Sequence, residues 1–143
     1  MKDLRKFYIY GQWVDPIQSN DLPVENPATE ELVATIPLGA AADVNLAVAA
    51  ARRAFLGFSQ TSVDERIALM EKLLQIYIDR YDEMAVAISI EMGAPISFAT
   101  AAQADCGRGH INAALEALKQ FEFERQVGNT RIVKEAIGVC GFI

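Results

Sequence analysis

The residues of this chain best suited to nucleophilic chemistry are its two cysteines, Cys106 and Cys140, and its single histidine, His110. A cysteine becomes reactive when a nearby cation, helix N-terminus or imidazole favours the thiolate. Cys140 instead stands in the apolar run Val139-Cys140-Gly141-Phe142, where we expect burial to leave an inert, small side chain. A thiol enzyme built on Cys140 and His110 is an alternative, and it requires a thiol that titrates near neutral pH.

Metal and phosphate chemistry are not indicated by the spacing of residues. A single histidine and two cysteines far apart in the sequence do not make a zinc-ligand pattern. Gly138 and Gly141 do not make a phosphate loop, because no third glycine or helix start follows them in the chain.

Composition excludes several classes of function. The net charge of −6, without any cluster of Lys or Arg, argues against nucleic acid, whose phosphates need a basic face. No uncharged apolar run approaches the roughly 18 residues that span a membrane. Two widely spaced cysteines are typical of a reduced, cytoplasmic protein. Because hydrophobic residues make up 52% of the chain, we expect some apolar surface to pack against something else.

Short β-elements are predicted before the first helix. Residues 7–14 alternate around Gly11-Gln12, which is typical of a small hairpin. Asn26-Pro27 predicts a turn, because the residue before a proline avoids the helical region. Residues 31–37 predict a second short strand or a strand pair.

Three amphipathic helices are predicted next. The first carries Asp43 in its first turn, where the helix dipole favours negative charge, and we expect it to end before Gly57. The second begins at a capping box in residues 62–65. It continues, with a bend near residues 80–82, until the glycine and proline of residues 93–95 stop it.

The third helix is predicted from Ser97 onwards, and Gly107 and Gly109 each weaken its middle by about 1 kcal/mol relative to alanine. Beyond it the hydrophobic period changes to two. Residues 121–137 therefore predict a β-ribbon that turns at Gly128-Asn129.

The last six residues, 138–143, form a continuous apolar run that is typical of a strand buried on both faces of a parallel sheet. A finished domain rarely ends in such a strand. We therefore expect the chain to be the first part of a longer protein.

In order and spacing, these segments make the chain similar to the aldehyde dehydrogenase superfamily over essentially its whole length. No single segment decides the resemblance, which rests on their ordered concurrence. The matching segments are Gly11-Gln12-Trp13-Val14, Asn26-Pro27-Ala28-Thr29, Asp43, Ala50-Ala51-Arg52, Ala54-Phe55, Arg66, Glu91-Met92-Gly93-Ala94-Pro95 and Gly138-Val139-Cys140-Gly141.

The resemblance implies an α/β fold, namely the N-terminal part of the aldehyde dehydrogenase dinucleotide-binding domain, with β-hairpins, three amphipathic helices and a C-terminal β-ribbon and strand. It assigns residues 1–122 to the N-terminal part of the NAD(P)-binding domain and residues 123–137 to an oligomerisation β-ribbon. Residues 138–143 would be the first strand of the dinucleotide-binding sheet, which the end of the chain truncates.

The family's reaction is attack of a cysteine thiolate on an aldehyde, hydride transfer to NAD or NADP, and hydrolysis of the thioester with a glutamate as general base. The resemblance places that cysteine, that glutamate, the oxyanion asparagine and the phosphate loop beyond Ile143. We therefore expect no catalytic residue in this chain and no tight binding of NAD or NADP by it. The aldehyde would be a substrate of the intact enzyme only.

The resemblance also implies two binding positions within the chain. In many family members a monovalent cation is held by backbone carbonyls before the Asn-Pro turn and by an acidic residue before the Gly-x-Pro, which match Val24, Glu25 and Glu91. A position against the NAD adenosine matches Ile143. The alternative for Glu91 is a solvated helix end, since a hard cation needs several converging oxygens.

The expected function is therefore NAD(P)-dependent oxidation of an aldehyde to a carboxylic acid by the intact enzyme, of which this chain is an inactive part. The alternative is a stand-alone interaction module. In both cases we expect a homo-oligomer through the strands of residues 123–143, because unpaired strand edges seek partners. Neither nucleic acid nor a membrane is an expected partner.

Overall fold

The computed structural model describes residues 2–142, in which five short strands precede the helices and two short strands follow them. The strands are β1 (Lys2–Asp3), β2 (Phe7–Ile9), β3 (Gln12–Val14), β4 (Asp21–Asn26), β5 (Glu31–Pro37), β6 (Glu124–Val127) and β7 (Thr130–Val133). The helices are α1 (Ala41–Phe58), α2 (Val63–Asp79), α3 (Tyr81–Met92), α4 (Ile96–Phe98) and α5 (Ala104–Gln120). A π-helical turn, Ala99–Gln103, joins α4 to α5 in one continuous helix.

The N-terminal strands form a three-stranded sheet and a separate hairpin. In the sheet, β5 lies between β1, to which it is parallel, and β4, to which it is antiparallel. The predicted hairpin is confirmed as β2 and β3, but its turn is Tyr10-Gly11, one residue earlier than predicted. Both turn residues have positive φ, 53° and 76°, as a two-residue turn that follows the twist of the strands requires.

Helix α1 continues through Gly57, so the prediction that this helix ends before Gly57 is wrong. A glycine marks a helix end when the backbone there turns left-handed. Here the chain leaves α1 through Ser59 in a right-handed conformation (φ −63°), whose N–H donates to the carbonyl of Phe55 at 2.9 Å.

Helix α2 begins at the predicted capping box. Ser62 Oγ accepts from the Glu65 N–H at 3.1 Å, and the Glu65 carboxylate accepts from the Ser62 N–H at 2.7 Å. The predicted bend near residues 80–82 is a full break at Arg80 (φ −109°, ψ 18°), so the chain has four long helices instead of three. Gly93 ends α3 in the left-handed conformation (φ 67°), which confirms the predicted stop.

Small side chains form most of the core. The buried apolar residues are Ala34, Ala50, Ala85, Ala99, Ala104 and Leu115. Small side chains allow close packing of α2 on α5, of α3 on the π turn and β4, and of α1 on β2. Large apolar side chains on the outer helix faces are exposed, including Leu56 and Phe58 on α1 and Leu69 on α2, as the composition led us to expect. Among residues 2–142, no helix has the length and apolarity to cross a membrane.

The C-terminal ribbon is confirmed. Strands β6 and β7 pair antiparallel, with Val127 opposite Thr130 on the two sides of the predicted turn. Gly128 in that turn has φ 59°.

The predicted buried strand is not formed by residues 138–142, and the prediction that Cys140 is buried is wrong for this chain. A strand is stable when neighbouring strands satisfy its N–H and C=O groups and cover its side chains. No described strand pairs with this segment. Cys140 is therefore exposed, and Phe142 is 99% exposed.

Candidate functional site

The Asn26-Pro27 turn is held by two hydrogen bonds that Asn26 accepts. Asn26 Oδ1 accepts from the Ala28 N–H at 2.9 Å, and the Asn26 carbonyl accepts from the Glu30 N–H at 2.8 Å. A short polar side chain that bonds two residues ahead is the reason asparagine is favoured in turns. The turn reverses the chain between β4 and β5, and it fixes the last residues of β4 and the first residues of β5.

The C-terminal end of α3 packs against this turn through Gly93. A Cβ atom on Gly93 would lie 2.8 Å from Pro27 Cγ, which is closer than real Cβ contacts come. The positive φ of Gly93 also disfavours any other residue. Pro27 and Gly93, which are 66 residues apart in the sequence, are thus neighbours in the fold.

The three predicted cation ligands lie on these two elements. A β-bulge between Val24 and Glu25 interrupts the ladder of β4 and β5, so the backbone there departs from regular pairing. Val24 is half-buried, whereas the side chains of Glu25 and Glu91 are exposed. No three His, Cys, Asp or Glu side chains of residues 2–142 gather as a metal cluster. A cation here would depend on backbone carbonyls and on one carboxylate.

The glycine segment of residues 138–141 lines a cleft beside α1. Gly138 to Gly141 lie beside α1 and, with Val48, Arg52 and Phe55, line a cleft of about 430 Å³. Ile143, the predicted contact of the NAD adenosine, lies outside the described residues.

Cys140 and His110 are not brought together. Cys140 lines the cleft beside α1, and His110 is an exposed residue of α5 that does not line it. Among the described residues, neither side chain has a hydrogen-bond partner, so the structure offers no support for a thiol and imidazole pair.

A pair of tyrosines that the sequence analysis did not single out connects the helices. Tyr77 Oη donates to the carbonyl of Ala104 at 2.8 Å, and Tyr81 Oη donates to the carbonyl of Thr100 at 2.5 Å. Both carbonyls lie at the π turn, where i→i+5 bonding disturbs the regular pairing of the helix. Burial, with Asp105 nearby, raises the pKa of Tyr81. Their i, i+4 spacing was the available sequence signal, although the break at Arg80 places Tyr77 on α2 and Tyr81 on α3.

Asp43 is a buried carboxylate with a structural role. Its Oδ1 accepts from the Ile17 N–H and its Oδ2 from the Ala40 N–H, both at 2.9 Å. These bonds join the start of α1 to the loop after the β2–β3 hairpin. Both bonds lower the pKa of Asp43, and the bond from the Ile17 N–H has the larger effect. The sequence pattern indicated only the helix-dipole role of Asp43, because its partner Ile17 is distant in the sequence.

The chain is similar to known proteins of one family. The model of the aldehyde dehydrogenase family matches residues 13–143. The 3-succinoylsemialdehyde-pyridine dehydrogenase of a Pseudomonas species is 48% identical over 144 residues, which cover 100% of this chain and 30% of the relative.

Solved structures agree. The crystal structure of aldehyde dehydrogenase from Bartonella henselae superposes with a TM-score of 0.87 at 44% identity, over 91% of this chain and 28% of that one. Aldehyde dehydrogenase C from Pseudomonas syringae, solved as a mutant with NAD+ and octanal, gives a TM-score of 0.86 at 44% identity. It matches 89% of this chain and 26% of its own.

The matched region is the N-terminal part of these proteins, and this chain spans about 30% of the length of the curated relative. The family model covers nearly all of the sequence, and the fold superposes on the Bartonella henselae enzyme over 91% of this chain. The chain therefore belongs to the aldehyde dehydrogenase family.

Proposed function

We propose that these residues are the N-terminal part of an NAD(P)-dependent aldehyde dehydrogenase that oxidises an aldehyde to a carboxylic acid in the cytoplasm, and that alone they catalyse no oxidation. The observation that carries the proposal is the family match over residues 13–143 together with a 30% share of the relative's length. The Pseudomonas syringae enzyme bound to NAD+ and octanal supports the cofactor and the aldehyde substrate.

In the proposed enzyme this chain supplies framework. Residues 1–122 would form the N-terminal part of the NAD(P)-binding domain, residues 123–137 the oligomerisation ribbon, and residues 138–143 the first strand of the dinucleotide-binding sheet. NAD or NADP would accept a hydride from the substrate, at groups that the family resemblance places beyond Ile143. The residues of this chain would position the elements of that domain. For example, the close contact of Gly93 with Pro27 joins α3 to the β4–β5 turn.

The cation site is part of the same proposal. We assign the backbone at Val24 and Glu25 and the carboxylate of Glu91 to a monovalent cation, and Ile143 to the adenosine of the cofactor. Support for the cation comes from the bulge between Val24 and Glu25 and from the packing of α3 on β4. Hard cations are bound by oxygens of this kind.

The purified 143-residue chain should reduce neither NAD+ nor NADP+ with any aldehyde, and neither cofactor should raise its melting temperature. A ligand present at 100 times its dissociation constant stabilises the folded state by about 2.7 kcal/mol, so binding would be visible in a thermal melt. A full-length relative serves as the positive control under the same conditions. A clear rise in the melting temperature of the chain with NAD+ would contradict the proposal.

A second candidate function is association through the ribbon, which its open edges favour. The Lys134 N–H donates inward to the carbonyl of Phe123 at 2.8 Å. Because antiparallel residues alternate between inward and outward pairs, the N–H of Val133 faces away from β6. Val133 is also 46% exposed, so the outer edge of β7 offers both a backbone donor and an apolar side chain to a second copy.

Replacing Val133 with proline should shift the chain toward monomer without opening the ribbon. Proline removes an outward donor and is tolerated on an edge strand. Gln126→Pro is the matched control, since register places the Gln126 N–H on the outer edge of β6. Sedimentation velocity of the chain and both variants is the measurement. A wild-type monomer at micromolar concentration, or unchanged association of Val133→Pro, would remove the support for this candidate.

A further inference from the structure

Two aromatic and two cationic side chains pack together at the base of the β6–β7 ribbon. We call this cluster the ribbon root, and its members are Arg66, Phe121, Phe123 and Lys134. The rings of Phe121 and Phe123 meet edge to face, with centroids 4.7 Å apart and planes at 67°. Arg66 Cζ lies 4.9 Å from the centroid of Phe123, and Lys134 Nζ lies 4.0 Å from that of Phe121. Both separations are within the range of cation–π attraction.

The ribbon root joins three separate parts of the chain. Arg66 belongs to α2, and the two phenylalanines lie in the short connection between α5 and β6. Lys134 follows β7, and its N–H bond to Phe123 closes the last rung of the ribbon. The ends of both ribbon strands are therefore tied to α2 through one cluster of side chains.

Little else holds the ribbon in place. Strands β6 and β7 pack mainly on each other, and seven of their eight residues are exposed. A two-stranded ribbon on a short connection would swing if only the backbone joined it to the helices. The only half-buried residue of the ribbon strands is Ile132.

Arg66 occupies its position without a hydrogen bond at one of its nitrogens. Among the described residues, Arg66 Nε is buried and has no hydrogen-bond partner. A buried, unpaired donor costs free energy, so another contact must hold the guanidinium there. The ring of Phe123 is the contact that the structure provides.

We propose that the ribbon root is a positioning clamp that holds the ribbon at one angle to α2 and presents the outer edge of β7 preformed to a second copy of the chain. A preformed edge binds more tightly because less freedom is lost on association. The fixed angle requires no partner. The benefit to association rests on the ribbon pairing proposed above.

The clamp can be tested by electron-spin distance measurements on the full chain. Cys106→Ser and Cys140→Ser remove the native thiols, and Lys72→Cys on α2 with Thr130→Cys on β7 supply two exposed labelling positions. Labelled chain is diluted into unlabelled chain, so that only distances within one molecule are recorded.

The parent should show one narrow distance distribution. Phe123→Leu keeps an apolar side chain but removes the ring, so ribbons swung away from α2 should become about two- to fivefold more populated and broaden the distribution. Phe123→Tyr keeps the ring face and should restore the narrow distribution. Phe98→Leu, which removes an exposed phenylalanine of α4, is the matched control and should change nothing.

A distribution that stays as narrow in Phe123→Leu as in the parent, with the helical circular dichroism retained, overturns the clamp. If Phe123→Leu does not fold, Arg66→Gln is judged by the same criterion. Sedimentation equilibrium supplies the second arm, in which Phe123→Leu should weaken self-association about two- to fivefold. A parent that never associates removes the ribbon pairing, whereas the distances still decide the clamp.

Discussion

Replacing Gly107 with alanine is expected to destabilise the fold by about 2 kcal/mol, although alanine is the better helix former. A Cβ atom on Gly107 would lie 2.3 Å from Tyr77 Oη and 2.7 Å from its Cζ. The tyrosine must move, which strains its packing and breaks its hydrogen bond to the carbonyl of Ala104. Overpacking of this kind costs about 1 to 3 kcal/mol, and the lost bond adds about 1, against about 1 gained in helix propensity.

Gly109 provides a matched control, because it lies in the same helix and a Cβ there would meet nothing within 4 Å. Gly109→Ala should therefore stabilise the chain by about 0.5 to 1 kcal/mol. Urea unfolding followed by circular dichroism gives both values. Equal effects of the two substitutions would show that Tyr77 does not require a glycine at position 107.

The double variant Tyr77→Phe with Gly107→Ala separates the two causes. Removing the hydroxyl relieves the closest contact but leaves the ring near the new methyl group. The cost of Gly107→Ala should thus be smaller in the Tyr77→Phe background than in the parent. Additive effects would mean that the two residues do not interact.

Replacing Asp43 with alanine should lower the folding equilibrium constant roughly tenfold or more, the upper part of the range for loss of a helix cap. The substitution removes the acceptor of two N–H groups, those of Ile17 and Ala40, in a residue that is 5% exposed. The start of α1 then loses its tie to the preceding loop. Asp64→Ala, at an exposed carboxylate in the first turn of α2, is the control and should have a smaller effect.

The effect of Asp43→Ala should depend on pH. Because the pKa of Asp43 is lowered in the folded state, its contribution to stability is present above the pKa of the unfolded carboxyl, about 3.9, and is lost as the pH falls through the folded value. Unfolding of wild type and variant, compared at pH values above and below this range, measures the loss. A difference in stability that is as large in acid as at neutral pH would contradict this assignment.

The helices and the ribbon were predictable because their signals are local. The capping box of residues 62–65, the stop at Gly93 and the turn at Gly128 depend on neighbours within a few residues, and all three are confirmed. At Arg80 the sequence predicted a bend within one helix, whereas the structure has two separate helices there. The end of α1 was predicted wrongly, because nothing in the sequence around Gly57 shows whether this glycine lies inside the helix or ends it.

The buried strand at residues 138–143 was predicted from a pattern whose meaning depends on neighbours. An apolar run is buried when other strands flank it, and no described strand flanks residues 138–142. Its assignment to the dinucleotide-binding sheet stays a prediction. The candidate cation ligands Val24, Glu25 and Glu91 could be named only through the family resemblance, since a site that uses backbone carbonyls leaves no side-chain pattern.

The sequence by itself determined the family, the β2–β3 hairpin, the main helical segments and the ribbon, because the ordered motifs and the spacing of apolar residues are local properties of the chain. Only the tertiary structure decided which distant residues meet. Gly107 is required by Tyr77, Asp43 accepts a hydrogen bond from the Ile17 N–H, and Arg66 lies over the ring of Phe123. Contacts across this many residues form when helices and loops pack, so their partners are fixed by three-dimensional geometry, on which the periodicity of one segment carries no information.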